Sequence, residues 1–229
     1  MQDFGMSGWS NQARDLLRGA FDLRYRYPVG FEGFSALCRI DQGNSEDIEA
    51  TVAMVAAGNV EAVLASQPPN PTTEAWLMQE LRSLSRGLWG HDFDAGEGKF
   101  AMSLTEPDHP LGPLVQLHDD PHQASFRIRG GRITMSSRRQ QSLREILQFH
   151  RWHVRPDGRW LPAQYTSEIW EVGVAGPLRV DRYTDLYWPV EGELFPQLRR
   201  VKSADDLAMT SSCSATLREW QLAGHRAQT

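Results

Sequence analysis

The sequence predicts an α+β protein: a large curved antiparallel sheet, a half-open barrel, with two main helices packed on its concave side. Two observations carry this. Residues 124–201 read as five or six consecutive strands joined by short turns, and two segments of helical periodicity, opening near Ser10 and Thr72, interrupt the first half of the chain. No internal repeat or low-complexity linker divides the 229 residues, so the expected organisation is a flexible N-terminus over 1–11, one domain over 12–204, and a C-terminal strand or helix with a tail over 205–229.

Ser10 or Asn11 caps the first helix, whose apolar stripe is Ala13, Leu16, Leu17, Ala20, Phe21 and Leu23, and which ends before Pro28. Arg14, Arg18, Arg24 and Arg26 lie mostly off that stripe and read as a solvated outer face, contact with an anionic partner being the lesser reading. Residues 34–40 form a strand, a turn at 41–44 reverses the chain, and 47–55 return. Gly58 and Asn59 permit another reversal into a short apolar strand over 60–65. Pro68, Pro69 and Pro71 end this segment. Thr72 or Thr73 then opens the second helix, with Trp76, Leu77, Leu81, Leu84 and Leu88 at helical spacing and Gly87 or Gly90 as its stop. Residues 99–104 resume a strand, a proline-rich loop covers 106–113, and 114–117 are extended.

In the long run of strands, Phe126 and Ile128 alternate with Arg127 and Arg129, and Gly130 with Gly131 supplies the positive-φ pair of a two-residue hairpin. Residues 143–154 end at Arg155-Pro156-Asp157-Gly158, a second turn, and 160–172 return. Leu143, Ile146 and Leu147 also fit a helical stripe over 142–149, but the following hairpin favours a strand there. After Gly173, Gly176 and Pro177, the residues Leu178, Val180, Leu186 and Trp188 share one parity, while Arg179, Asp181 and Asp185 share the other. The expectation is one apolar face and one wet face. Residues 194–201 close the run, with Arg199 and Arg200 side by side. Residues 215–222 read as either a final strand or a short helix.

The net charge of −5 argues against a general nucleic-acid binder, because such proteins carry a basic excess that replaces counterions on phosphates. Two cysteines, Cys38 and Cys213, are too few for a disulfide scaffold and read as reduced thiols. The first residues lack the basic and apolar regions of a leader, and nowhere do 18 apolar residues run together. The expectation is a soluble, cytoplasmic chain without a membrane span.

Residues 13–21 (ARDLLRGAF), Arg24-Tyr25-Arg26-Tyr27 and Phe31-Glu32-Gly33-Phe34 resemble the opening of an uncharacterised domain family of cyanobacteria and plastids. Gly98-Lys99-Phe100, Leu161-Pro162-Ala163-Gln164-Tyr165-Thr166 and Leu194-Phe195-Pro196-Gln197-Leu198-Arg199-Arg200 fall where that family has a Gly-Lys strand, a Leu-x-x-x-Tyr strand and a Leu-Pro-x-x-Arg ending. The resemblance covers about residues 12–201. Residues 107–121 and the C-terminal tail depart from it, and it implies no activity. The element order is also similar to that of half-open-barrel lipoprotein carriers, in which a curved sheet wraps helices around an apolar cleft; fold alone does not fix function.

Such a cleft would give a role to the eight tryptophans, Trp9, Trp76, Trp89, Trp152, Trp160, Trp170, Trp188 and Trp220, whose large amphipathic rings line pockets for apolar ligands or fill a sheet–helix interface. Trp76, Trp152, Trp170 and Trp188 are the candidate ligand-binding residues. For chemistry, His91, Asp94, His118, Asp119 and His122 bring imidazole and carboxylate close together in sequence, as metal sites and acid–base pairs require; in turns the same residues are commonly solvated. His150 and His153 project to opposite faces of a strand. Ser136, Ser137 and Ser142 lack a nucleophile-elbow context, and residues 96–99 (GEGK) lack the spacing of a phosphate loop. The leading expectation is a non-enzymatic binding or assembly protein that holds an apolar small molecule or a partner protein, in photosynthetic cells as the resemblance implies. The alternative is a metal-assisted or acid–base hydrolase using the His/Asp loops. The residues specify no cofactor.

Overall fold

The computed structural model describes residues 6–43, 47–55, 59–65, 71–205 and 210–223. Asn44, Gly58, Pro68, Pro69 and much of the predicted tail lie outside the described residues, as do the side chains of Trp9 and Ser10. Two α-helices are present among the described residues, α1 (Met6–Asp22) and α2 (Pro71–Trp89). The strands are β1 (Phe34–Asp41), β2 (Ile48–Val55), β3 (Asn59–Leu64), β4 (Ala101–Thr105), β5 (Leu114–His118), β6 (Ser125–Arg129), β7 (Arg132–Gln140), β8 (Leu143–Val154), β9 (Trp160–Glu171), β10 (Arg179–Val190), β11 (Glu193–Asp205) and β12 (Thr210–Leu222). The class is α+β, as expected. Residues 142–149 and 215–222 resolve as extended chain.

The strands form one sheet in the order β3-β2-β1-β12-β11-β10-β9-β8-β7-β6-β5-β4, which has two ends and is therefore not closed. Within β1–β3 and within β4–β12 each strand pairs with its neighbour in sequence, as in a meander, and Gly- or Pro-bearing turns such as Gly130-Gly131 and Pro156-Asp157-Gly158 make several of the reversals. Gly130 and Gly131 take φ of 59° and 71°, the double positive-φ hairpin that only glycine adopts without cost. The non-sequential step is β1 against β12, antiparallel from Phe34 opposite Leu222 to Asp41 opposite Ser214.

Tertiary contacts divide the chain into two units. The first comprises Met1–Tyr25, His91–Tyr183 and Ser203–Thr210; the second comprises Arg26–Gly90, Thr184–Lys202 and Ser211–Thr229. In the first unit α1 buries Ala13, Leu17, Ala20 and Phe21 against Met102, Val115, Leu117, Phe126, Ile128 and Ile133. The chain leaving α1 then pairs with β9: Trp160 donates its N–H to the Leu23 carbonyl and accepts from the Tyr25 N–H. Arg14 and Arg18 correct the reading of a merely solvated outer face. Arg14 donates to the carbonyls of Gly98 (2.5 Å) and Phe100 (3.2 Å), and Arg18 pairs with Asp94 and stacks on Phe93. Both tie the 92–100 segment to the helix.

In the second unit α2 buries Leu77, Leu81, Leu84 and Leu88 at the predicted spacing, together with Glu80. Tyr27, Phe31, Phe34, Trp89 and Phe195 form an aromatic cluster, with Tyr27 and Phe31 stacked at 4.1 Å and Phe34 edge-on to Phe195 at 4.8 Å. The parity reading of β10 is overturned. Asp181 and Asp185 are buried, while Leu186 and Trp188 are 47% and 53% exposed. The two aspartates read as wet can be buried because each has a guanidinium, Arg179 for Asp181 and Arg199 for Asp185, while Arg179 itself is exposed as read.

Candidate functional site

Two kinds of feature stand out: an aromatic row on the core side of the first unit, and charged clusters in each unit. Phe149 and Trp152 of β8 pack partly buried against the α1 core. Phe149 lies opposite Tyr165 of β9 with ring centroids 5.7 Å apart, and Tyr165 stacks on Tyr183 of β10 at 4.6 Å and 5°. The core side of the sheet thus runs on as Phe149, Tyr165 and Tyr183. Alternation places Leu147, Ser167 and Ile169 on the same side. Leu147, Phe149 and Tyr183 stay partly accessible. The row ends in polar groups, where the Ser167 hydroxyl donates to the Glu145 carboxylate at 3.1 Å.

The candidate tryptophans fall in different places. Trp152 belongs to the core side just described, with Arg132 5.7 Å from its ring centroid. Trp170 projects from the other side of β9, by alternation from Tyr165, and its indole N–H donates to Glu168 at 2.9 Å. In the second unit Trp76 is half-buried on α2, and Trp188 stands on the exposed side of β10.

The predicted His/Asp residues have separate partners. His91 Nε2 is 2.5 Å from Glu97 Oε2, and its ring meets Phe21 edge-on; a side chain at Gly96 would collide with that ring. Asp94 is engaged by Arg18, which holds its carboxyl below the ordinary value chiefly through their hydrogen bond. His118 contacts the Ser103 hydroxyl at 2.8 Å, Asp119 sits at φ 60°, and His122 Nδ1 faces the Arg139 carbonyl at 3.4 Å. No three His, Cys, Asp or Glu side chains come together as a metal site among the described residues. The arrangement that does form is one sequence reasoning missed. Glu97, nearly buried in a short 3-10 turn, is held between His91 and Arg138 of β7, whose Nη2 donates to Oε1 at 2.7 Å. Burial pushes the Glu97 carboxyl up, but the hydrogen bond and charge of His91, a backbone N–H and Arg138 outweigh it and leave the group below its ordinary 4.5.

The second unit contains a fully buried ionic triad. Arg199 of β11 grips Asp185 of β10 with Nε and Nη2 (2.8 and 2.6 Å), and its Nη1 reaches the Glu80 carboxylate (3.2 Å) and carbonyl (3.3 Å) on α2. All three side chains are 2–3% exposed. Sequence reasoning missed this triad; the signals that could have found it are Glu80, which interrupts the Leu77–Leu88 stripe at a core position, and Arg199, which falls within the Leu194–Arg200 segment. The two cysteines are free thiols. Burial first, with nearby negative groups, pushes each up to about 12. Each unit also has an open groove: about 540 Å³ among Leu16, Pro107, Pro110, Pro113 and Ile128 in the first, and about 550 Å³ between β3 and α2 in the second. No helix among the described residues is long and apolar enough to cross a membrane.

The sequence profile of a family described as "Protein of unknown function (DUF3386)" matches residues 9–220. No curated protein matches the sequence. Among solved structures, the chain is similar to a LolA superfamily protein of Nitrosomonas europaea at 12% identity, with 93% of this chain and 94% of that one covered and a TM-score of 0.39. It is also similar to a putative outer membrane lipoprotein-sorting protein domain of Vibrio parahaemolyticus at 6% identity, with 96% and 95% covered and a TM-score of 0.44.

Proposed function

We propose that this chain, which belongs to the DUF3386 family of proteins of unknown function, is a non-enzymatic binding protein that holds an apolar small molecule along the Phe149–Tyr165–Tyr183 side of its first unit. The aromatic row carries this reading. Three rings in line, with Leu147 beside them, offer contact area at small entropic cost, since each ring has only two side-chain torsions to fix. The Ser167–Glu145 pair gives the row a polar end, which suits an apolar molecule with one hydrogen-bonding group. Trp152 extends the same side, whereas Trp170 faces away from it.

The test is native mass spectrometry of protein purified from its own host, with organic extraction and metal analysis of the same sample, followed by titration with a fluorescent fatty acid. The expected result is a stoichiometric apolar molecule and saturable probe binding. Phe149→Ala should weaken binding by about tenfold or more, in line with truncation of an aromatic anchor. Leu147→Lys, which leaves the rings in place, should do the same, and Trp188→Ala should leave binding unchanged. Bare protein that never saturates with probe, or a stoichiometric metal in place of an apolar molecule, would sink the proposal.

A further inference from the structure

The sheet ends at β3, and its outer side has no strand beside it among the described residues. Natural edge strands are usually blunted by proline, lysine, a bulge or short length, because free N–H and C=O groups recruit another strand. β3 (NVEAVL) has no proline and no lysine, carries a single charge at Glu61, keeps an unbroken register with β2 from Val55 opposite Asn59 to Ala50 opposite Leu64, and leaves Val63 71% exposed. β4, at the other end of the order, is a five-residue strand.

Beside this edge lies the groove of about 550 Å³, lined by Val60, Ala62, Ala75 and Met78 with the charged Glu61, Glu74 and Arg82. Glu74 and Arg82 are two turns apart on α2, roughly 12 Å at 1.5 Å per residue. Met78 is midway between them. Neither charge has an ion-pair partner among the described residues, and both are exposed. The pattern is self-complementary. A two-fold axis near Met78 sets Glu74 against Arg82 of a second copy, and Arg82 against its Glu74. The same operation runs β3 antiparallel to its copy, with Ala62 facing Ala62 at the axis, Val60 facing Leu64 and Glu61 facing Val63. Closed two-fold interfaces demand this, since one patch must match itself reversed.

We infer that β3 and α2 form a two-fold dimer interface, in which a second copy of this chain adds its β3 to the free edge and its Glu74 and Arg82 close two charge pairs over the Met78 groove. The occupant is another copy because both the strand edge and the helix charges match their own reverse; an unrelated extended peptide would satisfy the edge alone. The inference is independent of what the first unit binds.

The test is sedimentation velocity on the full chain over a concentration series, with circular dichroism and a melting curve for each variant to confirm folding. The wild type should dimerise. Ala62→Asp, which sets two carboxylates face to face across the axis at a partly exposed site, should leave monomer throughout. Arg82→Glu and Glu74→Arg should each weaken the dimer by roughly 5- to 30-fold, because each sets two like-charge pairs in place of two attractive ones of up to about 1 kcal/mol. The double swap Glu74→Arg/Arg82→Glu should restore wild-type affinity. A wild type monomeric at every concentration, a dimer indifferent to Ala62→Asp, or a double swap that fails to recover would each overturn the inference. So would a monomer that captures a foreign peptide along β3.

Discussion

Replacing Arg199 with methionine removes the cation that bridges two buried carboxylates. The guanidinium donates hydrogen bonds at 2.8 and 2.6 Å to Asp185 and at 3.2 and 3.3 Å to the Glu80 carboxylate and carbonyl, and all three side chains are 2–3% exposed. Methionine retains most of the stem and none of the charge. Stranding a buried ionic partner costs about 3–5 kcal/mol, a large share of the roughly 5–15 kcal/mol that holds a domain folded. The expected outcome for Arg199→Met is a loss of that size in urea unfolding at pH 8. At pH 5.5 the loss should shrink. Buried carboxylates without a cation hold protons more tightly folded than unfolded, so protonation favours the folded variant and the penalty is greatest at high pH. Neutralising the acids as well, in Glu80→Gln/Asp185→Asn/Arg199→Met, should recover much of the stability, since uncharged groups no longer demand a counter-charge. A loss under about 1 kcal/mol, equal at both pH values, would refute the reasoning and show that water reaches the triad.

The other predictions concern Glu97 and the thiols. Because the folded Glu97 carboxyl titrates below its ordinary 4.5, its contribution is fully present above that value and is lost as pH falls through the lower folded one. Acid unfolding of Glu97→Gln, followed by circular dichroism, should therefore begin from a lower starting stability and show a shallower slope below pH 4.5; an unchanged slope would mean the clamp is not formed. With both thiols near 12, the thiolate fraction at neutral pH is roughly a thousandfold below that of free cysteine. Intact-mass measurement should show no iodoacetamide adducts on the folded chain at pH 7.5 and two in denaturant. Rapid single modification of native protein would contradict the burial of Cys38 and the setting of Cys213.

The meander was legible because its signals are local. Alternation at Phe126 and Ile128, Gly130-Gly131 and Pro156-Asp157-Gly158 each act within a few residues, and those strands and turns formed. Local reading failed where partners are distant in sequence. On β10, Asp181 and Asp185 look solvent-facing when the strand is read by itself, yet the group that permits Asp185 to be buried is Arg199, 14 residues on and across a hairpin. Likewise Arg14 and Arg18 look like a solvated stripe until the 92–100 segment, some 80 residues later, brings carbonyls and Asp94 to them. The His/Asp residues show the converse, closeness in sequence without convergence in space: Asp94 is held by Arg18, His118 by Ser103 and His91 by Glu97. The aromatic row was invisible for the same reason, being built from Phe149, Tyr165 and Tyr183 on three strands.

Both units fix a helical segment to the sheet by the same physical device. In the first, buried Glu97 of the 3-10 turn receives Arg138 from β7; in the second, buried Glu80 of α2 receives Arg199 from β11. An apolar stripe such as Leu77, Leu81, Leu84 and Leu88 tolerates a shift of one turn along the helix, because leucine replaces leucine against the strands. A buried carboxylate does not. Sliding α2 by one turn, about 5.4 Å, would carry Glu80 away from Arg199 and leave it uncompensated, at a cost of the 3–5 kcal/mol that breaking a buried pair entails. Apolar burial therefore supplies the attraction that docks α2, and the Glu80–Arg199 contact adds a term that depends on its register.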